Sequence, residues 1–171
     1  KNNLHGTFLL FFEVYNQWMA QHGGSIVNMC ADMWGGMPGM GHSGAARAGV
    51  DNLTKTAAIE WAVSGVRVNA VAPGWIISSG MDSYKGDFAQ FVIPTLASKV
   101  PLKRMGTESE VSSVTCFLLS EASAFVSGVT IRIDGAASLG TPIYPLADHQ
   151  NSEAYNGFHR AFIPNVLKGK V

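Results

Sequence analysis

The sequence predicts an α/β fold built on a doubly wound parallel sheet. Short apolar runs at residues 25–29, 66–72 and 129–133 are each bounded by Gly-Gly, Pro-Gly or Asp-Gly and are too short to be helices. They alternate with longer segments of helical period. That order pairs strands in parallel and covers both sheet faces with the connecting helices. Hydrophobic residues make up 47% of the 171-residue chain and charged residues 14%, so much of it must be buried in a core or against partners.

Each element has its own signal. Leu4, Phe8, Phe11, Phe12, Tyr15, Trp18 and Met19 recur at helical spacing and mark a first helix that ends at Gly23-Gly24. Residues 25–29 read as a buried strand, and residues 30–41, rich in Gly and Met, as a loop. A long helix follows over residues 43–63, with Asp51 and Lys55 paired one turn apart as a surface ion pair. The strand at 66–72 stops at Pro73-Gly74. Residues 75–100 are mixed, with Gly80, Gly86 and Pro94 as breakers. Thr107 and Glu110 form a capping box that starts a helix running to Leu119. The third strand ends at Asp134-Gly135, and residues 136–171 show no clear period. Three strands leave unpaired edges, so further strands are expected ahead of this sequence.

Composition removes several function classes. Twelve basic and twelve acidic residues cancel, which leaves no electrostatic footprint for nucleic acid or an anionic membrane. No apolar run approaches the roughly 18 residues of a membrane span, and no leader pattern follows Lys1. Cys30 and Cys116 sit in apolar surroundings without metal-ligand spacing and are expected to be free buried thiols. No metal site is expected. A cytoplasmic location is the expectation.

The densest chemistry lies in His42-Ser43-Gly44-Ala45-Ala46-Arg47-Ala48-Gly49-Val50. Ser43 and Arg47 are four residues apart on one helix, so a hydroxyl and a cation share a face. Ser43 is equally readable as the N-cap of the long helix. Asp32 is the sole carboxylate of the Gly/Met loop and becomes a general acid if burial raises its pKa, though a loop Asp also serves as a solvated turn residue.

Asn3-Leu4 with Gly6-Thr7-Phe8, Gly24-Ser25-Ile26-Val27-Asn28, the Ser43 to Val50 helix start, Val68-Asn69-Ala70-Val71-Ala72-Pro73-Gly74 and Ile131-Arg132-Ile133-Asp134-Gly135 follow one another at telling intervals. In order and spacing they resemble the C-terminal part of the short-chain dehydrogenase/reductase family, from Asn3 to about Gly140. The resemblance implies the C-terminal portion of a Rossmann-like sheet over residues 1–140. It implies a substrate lid near 75–100 and an extension of the same domain over 141–171. It also implies that the N-terminal nucleotide-binding half, with its glycine-rich loop, is missing from this sequence. More narrowly, His42 to Arg47 with Asn52-Leu53-Thr54-Lys55 is similar to the peroxisomal trans-2-enoyl-CoA reductase branch and its 2,4-dienoyl-CoA reductase neighbours.

The family's Tyr and Lys positions fall here on Ser43 and Arg47. Asn3 matches the family Asn that holds a relay water, or is a plain helix cap. Cys30 stands where the family usually has a substrate-binding Ser, and a thiol is a weak donor. By the resemblance, Arg47 holds the nicotinamide ribose. Pro73, Gly74 and Ile76 present backbone to the nicotinamide, and Ser78 or Ser79 replaces the family Thr at the cofactor phosphate. The implied cofactor is NADP(H), with NAD(H) not excluded. The implied assembly is a homotetramer or homodimer packed through the two long helices, where Ala57, Ala58 and Trp61 suit close approach.

Acidity then selects the reaction. A phenol near a cation can protonate an alkoxide, because its pKa of about 10 can be lowered toward neutrality. A Ser hydroxyl is far less acidic but still donates a hydrogen bond to a thioester oxygen. Hydride addition to an α,β-unsaturated thioester forms an enolate, which needs oxyanion stabilisation more than a strong acid. The sequence is therefore expected to belong to an NADPH-dependent enoyl-thioester reductase of fatty acid metabolism. The alternatives are a 3-oxoacyl-thioester or alcohol dehydrogenase using Asp32 or water as acid, and an inactive member kept as an oligomer partner. The chain ends in Lys168-Gly169-Lys170-Val171, which is not a Ser-Lys-Leu-type peroxisomal address.

Overall fold

In the computed structural model the chain-order elements are α1 (Thr7–Val14), α2 (Ala20–His22), β1 (Gly24–Met29), α3 (Gly41–Glu60), β2 (Val66–Pro73), β3 (Ile76–Ile77), α4 (Leu96–Lys99), β4 (Gly106–Thr107), α5 (Glu108–Leu119) and β5 (Thr130–Ile133). The structure describes residues 2–140, 143–157 and 163–169, apart from the Asn2 side chain. Part of the expected 141–171 extension, with Lys170 and Val171, lies outside the described residues. Two units are distinguished: Lys1–Ala72 with Val114–Arg132, and Pro73–Ser113 with Ile133–Val171.

In the first unit Val66, Val68, Ala70, Val71 and Ala72 of β2 are almost wholly shielded from solvent, as a parallel strand covered on both faces must be. β2 is the centre of a sheet ordered β1–β2–β5. β1 runs parallel to it, from Gly24 opposite Val66 to Met29 opposite Val71. On the other side Ala70 N–H donates to the Val129 carbonyl at 2.8 Å, and Gly74 N–H donates to Ile133 at 3.0 Å. The partners advance equally along both strands, so this pair is parallel too.

One face of the sheet packs on the first helix and α3. Phe11, Ala57, Ala58, Val66 and Val68 form the buried cluster, with Tyr15, Leu53 and Trp61 around it. Tyr15 stacks on Trp61 with ring centroids 4.3 Å apart. The opposite face meets the end of α5. Ser25 Oγ donates to the Leu118 carbonyl at 3.0 Å, and Arg67 Nη1 donates to the same carbonyl and to Ser123 Oγ, both at 2.9 Å. Helices on both faces make the sheet doubly wound, as the alternating pattern predicts.

The helix boundaries refine the expectation. α1 is flanked by wider π turns at Asn2–Gly6 and Tyr15–Met19 before α2, ending at Gly23 with φ +69°. α3 begins at Gly41 rather than residue 43, with Met40 as the cap residue and no side chain capping it. It stops at Glu60, and left-handed Gly65 (φ +70°) closes the short 3₁₀ turn Ala62–Ser64 that follows. Cys116 is exposed on α5, contrary to the expectation of two buried thiols; Cys30 is buried as expected.

In the second unit β3 and β4 pair in parallel, Ile76 with Gly106 and Ile77 with Thr107. The breaker-rich stretch after β3 folds as short turns and α4 around Met81, Ile93, Leu96 and Met105. The capping box is present: Thr107 N–H donates to Glu110 Oε2 (2.9 Å), and Glu110 N–H donates to Thr107 Oγ1 (3.2 Å). Arg104 grips the same carboxylate with two nitrogens, at 2.9 and 2.6 Å.

Partial burial opposes the Glu110 charge. The Arg104 hydrogen bond, the backbone N–H groups of Thr107 and Tyr155 and the Arg104 charge outweigh it, so the carboxyl is held below its ordinary 4.5. A lowered folded-state pKa contributes stability that is fully present above about pH 4.5 and is lost as pH falls through the folded value. Glu110→Gln is therefore expected to cost roughly 1–2 kcal/mol at neutral pH. Its acid limb of stability should also be shallower in thermal melts from pH 7 to 3. An acid limb as steep as in the parent would contradict this.

Candidate active site

Ser43 is the third residue of α3, not its cap, because the helix starts two residues early. Its backbone N–H donates to Met40 O at 2.8 Å, and its half-buried hydroxyl makes no hydrogen bond to any described residue. The side chain is thus not spent on capping the helix end.

Arg47 lies one turn further along the same helix. Its Nη1 donates to the Met29 carbonyl, the last residue of β1, at 2.5 Å. Its Nε is buried and has no hydrogen-bond partner among the described residues. A buried guanidinium N–H normally finds an acceptor, so this nitrogen suits a ligand oxygen. The helix brings Ser43 and Arg47 to one face, and the strand end fixes the cation.

Cys30 follows Met29 and is only 3% exposed. Its backbone N–H donates to Val71 O at 2.8 Å, and its thiol donates weakly to the Arg47 carbonyl at 3.8 Å. Burial, and next the Asp51 charge, push the thiol up to about 11 against the opposing pull of Arg47. It is a neutral packing group there and not a nucleophile. Asp32 is half-buried in the loop beyond it. That loop is held from β5: the Arg132 guanidinium lies 4.0 Å from the Trp34 ring centre. Asn3 sits in the π turn Asn2–Gly6 with an exposed side chain, and its carbonyl accepts the Thr7 hydroxyl at 2.9 Å.

Asp51 and Lys55 are paired at 2.6 Å, but this is more than a surface pair. The Asp51 side chain is 15% exposed, and its second oxygen accepts the Thr130 hydroxyl at 2.7 Å, tying α3 to β5. Burial opposes its charge, and the hydrogen bonds from Lys55 and Thr130 with the charges of Lys55 and Arg132 hold the carboxyl below its ordinary value. No local pattern could reveal the Thr130 partner or the Trp34–Arg132 stack, since both join distant segments.

In the second unit Gly74 donates its N–H to Ile133. A Cβ at Gly74 would stand 2.8 Å from Asp134 Cβ and 2.9 Å from its Cα, so only glycine allows that approach. Pro73 ends β2, Ile76 is on β3, and Ser78 precedes the 3₁₀ turn Ser79–Ser83 with an extended backbone. The Ser78 carbonyl accepts Met81 N–H at 3.1 Å. Asp134 caps its own turn, accepting the Ala136 and Ser138 N–H groups at 3.0 and 3.1 Å.

In the first unit, a largely apolar groove runs between the first helix and α3, with Leu4, His5, Phe8, His42, Gly49 and Leu53 among its lining. Among the described residues no helix is long and apolar enough to cross a membrane. Nor do they contain a cluster of three or more His, Cys, Asp or Glu that could hold a metal ion.

A family model described as enoyl-(acyl carrier protein) reductase matches residues 1–138. The zebrafish (Danio rerio) peroxisomal 2,4-dienoyl-CoA reductase is 40% identical over 138 residues, covering 78% of this chain and 45% of the relative. The 3-oxoacyl-[acyl-carrier-protein] reductase FabG of Staphylococcus epidermidis is 36% identical over 134 residues, covering 78% and 53%. Among solved structures, the citronellol catabolism dehydrogenase AtuB of Pseudomonas aeruginosa superposes with a TM-score of 0.67 at 62% identity, over 80% of this chain and 51% of that one. The chain spans about half the length of the relatives it matches. With its parallel Rossmann-like sheet and these matches, the chain belongs to the short-chain dehydrogenase/reductase family of oxidoreductases.

Proposed function

We propose that this chain is part of an enzyme that reduces an α,β-unsaturated acyl thioester with NADP(H), or with NAD(H) in its place. The observation that carries this reading is the pairing on one face of α3 of an uncommitted Ser43 hydroxyl with the anchored Arg47 guanidinium. The 2,4-dienoyl-CoA reductase name of the zebrafish relative supports it.

When bound, the reduced nicotinamide supplies the hydride. Arg47 fits the ribose side of such a cofactor: one nitrogen is fixed to Met29, and the buried Nε lacks an acceptor that a ribose hydroxyl would provide. Ser43 donates a hydrogen bond to the thioester oxygen and stabilises the negative charge that develops there. Asn3 holds a water that delivers the Cα proton to the enolate, with Asp32 the sole carboxylate of the loop before the Ser43 helix. In the second unit Pro73, Gly74 and Ile76 are assigned to the nicotinamide amide, Ser78 to a phosphate oxygen, and residues 75–100 to the acyl chain. The groove along Leu4, Phe8 and Gly49 is assigned to a second copy of the chain, giving a homodimer or homotetramer.

The test is NADPH oxidation by the full-length protein with a trans-2-enoyl-CoA. Ser43→Ala is expected to lower kcat/KM roughly 10- to 100-fold with little change in thermal stability. An unchanged kcat/KM would remove Ser43 from the chemistry.

The names of AtuB and FabG favour a second reading, a dehydrogenase acting on an alcohol or a 3-oxoacyl thioester with Asp32 or water as acid. That reading expects Asp32→Asn to abolish ketone reduction. A non-catalytic oligomer partner is the third reading. It expects no heat of binding when NADPH is titrated into the full-length protein.

A further inference from the structure

We propose that the C-terminal turn around Leu167 is a built-in strap for the segment assigned above to the acyl chain, with Leu167 and Asp82 as positioning residues. The proposal rests on that assignment only for its effect on substrate.

The segment cannot hold its own shape. Between Ser79 and Thr95 it consists of a 3₁₀ turn (Ser79–Ser83), a π turn (Phe88–Val92) and a second 3₁₀ turn (Ile93–Thr95). Such short turns are not stable in isolation and take their order from packing. Their packing partner is a shared cluster of Met81, Ile93, Leu96 and Met105, closed by Leu167, which is 1% exposed. Leu167 arrives from the far end of the chain on the turn Asn165–Leu167. Pro164, just before that turn, is fully buried as well.

Asp82 fixes the turn from the segment's side. Its Oδ1 accepts the Val166 N–H at 3.3 Å, and its Oδ2 accepts the Asn165 side-chain amide at 3.4 Å. One carboxylate thus holds both a backbone and a side-chain donor of the C-terminal turn, directly beside the buried Met81. Removing Leu167 would open a leucine-sized void where the short turns converge. Removing the Asp82 carboxylate would release the strap without touching the cluster. The strap acts by setting how firmly the segment assigned to the acyl chain is held.

Hydrogen–deuterium exchange on the full-length protein tests this without needing any substrate. Leu167→Ala is expected to speed exchange of amides 79–99 roughly tenfold or more, with exchange across α3 unchanged. Asp82→Ala, which leaves the apolar cluster intact, is expected to give a smaller increase of about threefold confined to the same segment. With enoyl thioesters, Leu167→Ala should raise KM for a dodecenoyl-CoA while leaving kcat, and KM for crotonyl-CoA, near their original values. Unchanged exchange at 79–99 in a folded Leu167→Ala or Asp82→Ala protein would overturn the strap. So would faster exchange spread evenly over α3 and the segment. Inactivity of the parent protein on every enoyl thioester would count against the proposed function, and the exchange result would still decide the strap.

Discussion

Replacing Arg47 by alanine is expected to weaken NADPH binding and lower kcat/KM for enoyl reduction roughly 10- to 100-fold or more. The guanidinium is held through Nη1 by the Met29 carbonyl, and its buried Nε has no acceptor among the described residues. Alanine removes the cation proposed for the cofactor ribose and also strips the Met29 carbonyl of its donor, a further loss of about 1 kcal/mol in stability. Arg47→Lys restores the charge but not the fork, so it should recover part of the cofactor affinity. Titration calorimetry with NADPH separates the two losses. An NADPH Kd that is the same in the parent and in Arg47→Ala would place the cofactor elsewhere.

Asn69→Ala is expected to be the most destabilising of the changes considered, by about 2–5 kcal/mol. Asn69 is fully buried in β2; its amide donates to the Val126 carbonyl at 2.8 Å, and its oxygen accepts the Val129 N–H at 3.2 Å. These two bonds hold the chain that leads into β5. Alanine leaves the Val129 N–H without a partner, reduces the Val126 carbonyl to its 3.4 Å bond from Arg67 Nη1 and opens a void beside them. For a chain of this size the midpoint of thermal unfolding should fall by roughly 5–15 °C. A fall of less than 2 °C in calorimetry would show that the Val126–Val129 segment does not depend on Asn69.

What could be read from the sequence follows from how local each signal is. The strands at Gly24–Met29 and Val66–Pro73, and the capping box of Thr107 and Glu110, announce themselves through apolar runs, turn residues and a fixed three-residue spacing. The Ser43–Arg47 pair was visible for the same reason, since four residues is one helical turn. The sequence pattern starts this helix at residue 43, two residues after its true start, because Gly41 and His42 carry no helix signal and the cap residue, Met40, offers no side-chain acceptor. That shift matters chemically, as it takes Ser43 from capping duty to an open hydroxyl. The anchoring of Arg47 on Met29, the Asp51–Thr130 bond and the seat of Leu167 were beyond local pattern, because each joins residues far apart in the chain.

A serine hydroxyl at position 43 in place of a phenol is proposed to turn the site toward carbon–carbon double bonds. The most direct measurement supplies the full-length protein with NADPH and an equimolar mixture of a trans-2-enoyl-CoA and a 3-oxoacyl-CoA of equal chain length, and identifies the products by mass spectrometry. Saturated acyl-CoA is the expected dominant product. Accumulation of 3-hydroxyacyl-CoA, with the enoyl thioester left unreduced, would contradict it.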